Sequence, residues 1–154
     1  MNGERFTLDT NILVYRVDRH AGQRRIVAAE IIEKSVLRDC WLTLQAVSEF
    51  YAAATRKRLV PAPDAAAQAE DWMTLFPCAA ASPAAVRAAL ATAAAGRAHY
   101  WDALLVATAA EAGCSFILTE DMTDGDSLAG VRVLNPFGGA ALAPEARRLL
   151  EGTR

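Results

Sequence analysis

Residues 100–121 read YWDALLVATAAEAGCSFILTED, and this stretch decides the fold class. Its first part carries Leu104, Leu105, Thr108 and Ala112 at three- and four-residue steps, the spacing that places side chains on one side of a helix. Gly113 ends the pattern, as glycine does where a helix stops. Phe116-Ile117-Leu118 is then a short apolar run of strand type, followed by the acids Glu120 and Asp121. A helix leading through a tight turn into a strand belongs to a crossover connection, and crossovers build parallel sheets.

Working outward, the same alternation recurs. Thirty-four of the 154 residues are alanine, the strongest helix former, concentrated in the middle of the chain. Helices are predicted over 22–37, with Ala28, Ile31, Ile32 and Val36 on one face and Gln23, Glu30 and Lys34 opposite, and over 44–58, with Val47, Phe50, Tyr51 and Ala54 together. Others are predicted over 64–75, 83–96, 101–112 and, in the tail, 143–151. Strands are predicted at Phe6-Thr7-Leu8, Cys40-Trp41-Leu42-Thr43, Phe116-Ile117-Leu118 and Val131-Arg132-Val133-Leu134, with a weaker one near Cys78. The expected architecture is α/β, a three-layer α/β/α sandwich around a mostly parallel sheet of four to five strands. Neither a repeat nor a linker divides the chain, so residues 1–154 are read as a single domain.

Composition excludes several classes. With 53% hydrophobic and 22% charged residues the chain is expected to be globular rather than disordered. Sixteen Lys and Arg stand against 18 Asp and Glu, so it does not bind nucleic acid by bulk positive charge. Cys40, Cys78 and Cys114 are odd in number and widely spaced, which argues against a disulfide framework or a structural zinc site and suits buried, reduced thiols. The first residues lack a long apolar leader segment, and the alanine-rich stretch around 79–95 is broken by Ser82, Pro83, Arg87 and Thr92. A cytoplasmic protein without a membrane span is expected.

Parallel α/β sheets present their functional groups beyond the carboxyl ends of the strands. Asp9 directly follows the first strand, and Asp121 follows Phe116–Leu118. Glu49 lies early in the helix that leaves the same edge after Cys40–Thr43. Asp102 opens the helix that returns to the start of Phe116–Leu118, so it too lies at the carboxyl edge. Four segments thus deliver four carboxylates to one side. Each acid alone has an ordinary explanation: Asp9 as a helix cap, Asp102 as an anion at a helix N-terminus, Glu49 as a solvated helix residue, Asp121 as one acid of a loop that also holds Glu120, Asp124 and Asp126. The functional reading rests on all four together. Clustered carboxylates raise one another's pKa, so such a site holds protons or binds cations. With two histidines and scattered cysteines the ligands are all oxygen, which suits Mg²⁺ or Mn²⁺ rather than zinc.

These residues carry a resemblance to the PIN-domain family, and within it to VapC-type ribonuclease toxins of toxin–antitoxin pairs. The matching blocks are Leu8-Asp9-Thr10-Asn11-Ile12-Leu13-Val14-Tyr15, Leu44-Gln45-Ala46-Val47-Ser48-Glu49-Phe50-Tyr51, and Tyr100-Trp101-Asp102-Ala103-Leu104-Leu105-Val106-Ala107 followed by Phe116-Ile117-Leu118-Thr119-Glu120-Asp121-Met122. Their order and spacing span about residues 6–136. The resemblance implies a PIN-like fold, Asp9, Glu49, Asp102 and Asp121 as an acidic catalytic and metal-binding quartet, a Mg²⁺ or Mn²⁺ cofactor, endonucleolytic cleavage of RNA, a homodimer and an antitoxin protein as partner. Asp124 or Asp126 stands as an alternative for the fourth position. Thr10 and Asn11 are expected to orient the first acid, and Thr119 to support the fourth. The arginines Arg16, Arg19, Arg24, Arg25, Arg56, Arg58 and Arg97, with Lys57, are candidates for the rim that meets RNA; Tyr100 and Trp101 are candidates for stacking on a base or for packing.

Three other readings compete. A noncatalytic PIN-like module binding RNA or protein would share the architecture without metal-dependent cleavage. A receiver or phosphatase domain needs a second acid beside Asp9 and a well-placed lysine; Asp9-Thr10-Asn11 lacks the acid, and Lys34 and Lys57 are expected in helices away from the strand ends. Gly125-Asp126-Ser127-Leu128 spells a serine-esterase tag, with neither His20 nor His99 near the chain's end to serve it. Assigning four acids to a metal site leaves 14 against 16 basic residues. The partner question therefore turns on where the arginines lie.

Overall fold

The computed structural model describes residues 4–152. Three strands, β1 (Phe6–Leu8), β4 (Phe116–Leu118) and β6 (Val131–Leu134), run parallel in the order β1-β4-β6, and β5 (Ser127–Leu128) closes the edge antiparallel to β6. A second parallel pair, β2 (Leu42–Thr43) with β3 (Cys78–Ala79), abuts β1 through a bridge between Phe6 and Cys40. The helices flank this sheet: α1 (Thr10–Val17), α2 (Gln23–Ser35), α3 (Leu44–Arg56), α4 (Ala62–Leu75), α5 (Pro83–Ala94), α6 (Tyr100–Glu111) and α7 (Pro144–Glu151). A small hairpin of β7 (Phe137–Gly138) and β8 (Ala141–Leu142) precedes α7. The mostly parallel α/β architecture is the expected one.

Local chemistry accounts for the helix starts. Thr43 and Ser82 accept hydrogen bonds from the backbone N–H groups of Ala46 and Ala85, and proline opens the first turn of α4, α5 and α7. The main core gathers Phe6, Leu8, Leu13, Ile31, Leu42, Phe50, Ile117 and Leu118, with Phe50 edge-on to Trp72 at 4.7 Å. A smaller cluster of Ala85, Ala89, Ala103, Leu104 and Ala107 joins α5 to α6, where small side chains let the two backbones approach closely.

Several expectations need correction. The helix α1 was anticipated only through its cap. Val36 and Tyr51, placed on apolar faces, are 40% exposed: Val36 sits at the C-cap of α2, where the core-facing stripe ends, and Tyr51 turns outward beside buried Phe50. Cys78 is only half-buried, unlike Cys40 and Cys114. Ser127-Leu128 of the esterase-like tag is a hairpin strand, joined to β6 by Ala129 and Gly130, both at positive φ as a tight two-residue hairpin turn requires.

The register positions the site. Leu8, Leu118 and Leu134 lie side by side, and the next residues continue that row, with the Asp9 N–H donating to the Leu118 carbonyl (3.0 Å) and the Thr119 N–H to the Leu134 carbonyl (3.0 Å). Whatever follows the strands therefore emerges at one edge.

Candidate metal-binding active site

All four acids singled out in the sequence line a single cleft of about 390 Å³, together with Thr10, Asn11, Arg56 and Lys57. Asp9 is delivered by the end of β1, Glu49 by the second turn of α3, Asp102 by the first turn of α6 and Asp121 by the loop after β4. Asp9 is also the N-cap residue of α1, so its capping and site roles coincide.

Asp9 is the only acid or base buried among the described residues, at 6% exposure, and no ion pair involves it. Its carboxylate accepts hydrogen bonds from the Thr119 hydroxyl (2.6 Å) and the Thr10 N–H (2.7 Å). Burial lifts its pKa, those two hydrogen bonds oppose the rise, and the charge of Asp102 adds to it. Burial likewise raises Asp102, followed by the charge of Asp121, with His99 acting in the opposite sense and Glu49 adding to the rise. Asp121 is pushed up to about 6 by burial and by the charge of Asp9. A buried carboxylate lacking a cation calls for a proton or a metal ion.

That electrostatic demand is the test of whether a divalent cation suits the site. Among the described residues no three His, Cys, Asp or Glu side chains already stand in chelating positions. The acids therefore line the cleft without forming a closed cage. Mg²⁺ is commonly held by one or two carboxylates and several waters, so an open, all-oxygen set around an orphaned Asp9 fits it. It does not fit zinc.

Thr10 and Thr119 take the roles expected of them and add others, while Asn11 serves the fourth acid instead of the first. The Thr10 hydroxyl donates to Glu49 (3.1 Å) rather than to Asp9, and the Asn11 amide donates to Asp121. Thr119 serves the first acid with its hydroxyl while accepting the Asp121 N–H (3.1 Å), so one side chain couples the first and fourth acids. Asp124 accepts the Asn135 N–H at 2.9 Å, which occupies it outside the cleft. Asp126 lines an adjoining cleft of about 470 Å³ with His99, Ser127, Asp102 and Asp121. No hydrogen bond joins Ser127 to a histidine among the described residues. Lys57, expected away from the strand ends, lines the acid cleft from the C-cap of α3. Trp101 is 61% exposed, and Tyr100 lies edge-on to it at 5.0 Å while packing on the α5–α6 cluster.

Two groups of contacts escaped the sequence reading. Gln45 donates to the Trp101 carbonyl (2.8 Å) and to Glu49 (3.4 Å), tying the start of α3 to the start of α6. Glu120 receives the Tyr15 hydroxyl and an ion pair from Arg24 at 2.8 Å, and Arg24 lies over the Phe137 ring. Burial alone would raise Glu120, but the bonds from Arg24 and Tyr15 hold it below its ordinary value. Burial and the Glu120 contact lift the Tyr15 hydroxyl to about 12. The signal was present: Asn11 and Tyr15 are one helical turn apart, and they grip the consecutive residues Asp121 and Glu120. Tyr15→Phe is expected to cost about 1 kcal/mol in chemical denaturation, from one lost hydrogen bond. An unchanged midpoint would show that Arg24 alone holds the loop.

Comparisons with known proteins show the family and the fold. A family profile for the PIN domain matches residues 6–123. A search of curated protein sequences gives no match. Among solved structures, the chain resembles VapC20 of Mycobacterium tuberculosis, a sarcin–ricin loop cleaving toxin, with TM-score 0.61, 15% identity and coverage of 82% of this chain and 98% of that one. It also resembles VapBC2 of Rickettsia felis bound to a promoter DNA fragment (TM-score 0.60, 12% identity, coverage 84% and 96%). DNA-bound VapBC of Salmonella typhimurium is a third such structure (TM-score 0.59, 17% identity, coverage 84% and 96%).

Proposed function

Because the chain belongs to the PIN-domain family, we propose that it is a Mg²⁺- or Mn²⁺-dependent endoribonuclease, the toxin of a toxin–antitoxin pair. The observation that carries this reading is the convergence of Asp9, Glu49, Asp102 and Asp121 on one cleft around a buried carboxylate with no cationic partner. The likeness to VapC20, itself a toxin that cleaves the sarcin–ricin loop, supports the substrate class. The likeness to two VapBC structures supports an antitoxin partner.

Asp9, Glu49, Asp102 and Asp121 would hold the metal ion. When bound, Mg²⁺ or Mn²⁺ neutralises phosphoryl charge and makes water an effective nucleophile near neutral pH. The residues of the chain do the rest. Thr119 and the Thr10 N–H fix the orientation of Asp9, Asn11 fixes Asp121, and the Thr10 hydroxyl fixes Glu49. A carboxylate held this way can accept a proton from an attacking water without losing its position. Arg56 and Lys57 on the same cleft offset the negative charge that the scissile phosphate brings.

We expect cleavage of RNA by the purified protein in Mg²⁺ or Mn²⁺, loss of it in EDTA and recovery on adding back metal. Cleavage that persists in chelator would refute the metal mechanism. No cleavage of any RNA by folded protein would favour the noncatalytic RNA- or protein-binding alternative. Action in the cytoplasm belongs to the same reading; no helix among the described residues is long and apolar enough to cross a membrane. Light scattering of the purified protein tests the homodimer that belongs to the same reading.

A further inference from the structure

We propose that the basic cleft beside the acids, lined by Arg19, His20, Thr55, Lys57 and Arg58, is a subsite for the backbone phosphates of the RNA strand. The inference rests on the endoribonuclease reading and adds to it a direction for the bound strand. The cleft measures about 580 Å³ and lies between the connection from α1 to α2 and the connection from α3 to α4. Lys57 lines both this cleft and the acid cleft, so the two adjoin. No acidic residue lines the basic one, whose remaining wall is Leu59, Val60, Pro61 and Ala62. The adjoining cleft, which shares Asp102 and Asp121 with the acid cleft, has one arginine, Arg97, with His99, Asp126 and the apolar side chains of Met122, Leu128 and Val133. A polyanion leaving the acids therefore meets three cations and no carboxylate in the basic cleft, against one arginine and a further carboxylate in the adjoining one.

The cations of this cleft are uncommitted. Arg24, Lys34, Arg132 and Arg147 are each paired with a carboxylate, whereas Arg19, Lys57 and Arg58 make no ion pair or side-chain hydrogen bond with any described residue. Arg58 adds a second, independent observation. The Leu59 N–H reaches back to the Ala54 carbonyl (2.9 Å) and the Arg58 N–H to that of Thr55 (3.1 Å), which closes α3 with Arg58 at φ +53°. This is the left-handed position after a helix where glycine is the favoured residue. Arginine there is strained, and its side chain forms no ion pair or hydrogen bond with a described residue that would offset the strain. An exposed guanidinium lining a cleft that adjoins the acids is suited to a phosphate. An acidic segment of a protein partner would meet the same charges, but the shared wall at Lys57 beside the acid cleft favours the strand that is cut there.

The test is fluorescence anisotropy with a fluorescein-labelled, mixed-sequence 24-nucleotide RNA in Mg²⁺, on an Asp9→Asn background that retains the groove. Arg58→Gly is expected to weaken binding about three- to ten-fold near 0.1 M salt and to lower the slope of log K against log salt by about 0.7, one phosphate contact on a single strand. Its melting temperature should be unchanged or about 2 °C higher, because glycine relieves the backbone. Arg19→Gln should weaken binding similarly. Arg148→Gln, on α7 and outside the cleft, is the control for net charge and should leave affinity within two-fold. Unchanged affinity in Arg58→Gly, or an equal loss in Arg148→Gln, would overturn the subsite. Displacement of the RNA by a 20-residue polyglutamate at equal charge concentration would assign the cleft to a protein partner instead and also overturn it. Cleavage by the wild-type protein, measured in parallel, separates the two claims: its absence defeats the enzyme reading, while the binding series decides the cleft.

Discussion

Asp102→Asn is expected to lower RNA cleavage by about a thousand-fold or more while leaving the protein folded. Asp102 lies in the first turn of α6 and is half-buried, and it makes no hydrogen bond that would be lost on amidation among the described residues. The substitution is isosteric and removes one negative charge from a cluster whose members raise one another's pKa. The folded state should tolerate it. Transition-state stabilisation should not, because a carboxylate that helps hold a divalent ion or accept a proton cannot be replaced by a neutral amide. Asp9→Asn should abolish cleavage as well, and there the structural effect is small for a specific reason: an amide oxygen can still accept the Thr10 N–H that the carboxylate accepts at 2.7 Å. Full activity in either variant, with an unchanged circular dichroism spectrum, would refute these assignments.

The second large effect concerns pH and metal together. Asp9, Asp102 and Asp121 all have pKa values raised in the folded state, Asp121 to about 6. Unfolded aspartates titrate near 3.9, so between about pH 4 and pH 6 the folded chain binds more protons than the unfolded one. These groups therefore stabilise the metal-free protein below pH 4 and lose that contribution as pH rises through the folded values. Taken at face value the Asp121 shift would be worth about 3 kcal/mol, and solvent screening at this exposed carboxylate reduces it to about 1 kcal/mol. Metal-free protein should accordingly melt lower at pH 8 than at pH 5.5 as far as these groups are concerned. Adding Mg²⁺ or Mn²⁺ to a hundred times its Kd should stabilise the pH 8 protein by about 2.7 kcal/mol, roughly 5–10 °C at this chain length, and the pH 5.5 protein by less, because protons compete for the same oxygens. Differential scanning fluorimetry at the two pH values reads both effects. A metal-induced shift of equal size in Asp102→Asn and in the wild-type protein would place the ion elsewhere.

The two effects point in opposite directions at the same residues. Like charges gathered around a buried carboxylate weaken the metal-free fold and are what a cation would relieve. Asp121→Asn should for that reason raise the melting temperature of the metal-free protein while lowering activity, the usual opposition where a site stores unfavourable charge.

Much of the fold was legible because its signals are local. The three- and four-residue spacing in residues 100–112, the glycine at 113 and the apolar run at 116–118 each depend on near neighbours, and α6 and β4 fall on them. Short elements were less legible. β5, β7 and β8 have two residues each, too few for a period, and α1 hides behind the acid that caps it. Val36 and Tyr51 match an apolar stripe by spacing, and only packing shows where that stripe leaves the core.

The site divides in the same way. Sequence by itself determined which acids come to the carboxyl edge, because strand direction and the order of helices dictate where each segment ends, whatever the side chains then do. Only the tertiary structure decided what each polar group touches. Thr119 meets Asp9, and Asn11 meets Asp121, across 110 positions of chain, and Tyr15 meets Glu120 across 105. It also decided that Asp124 is engaged elsewhere and that Lys57 joins the acid cleft to a basic one. The physical reason is reach. Backbone topology follows from local patterns, whereas a hydrogen bond depends on ångström-scale approach between elements that the sequence keeps far apart.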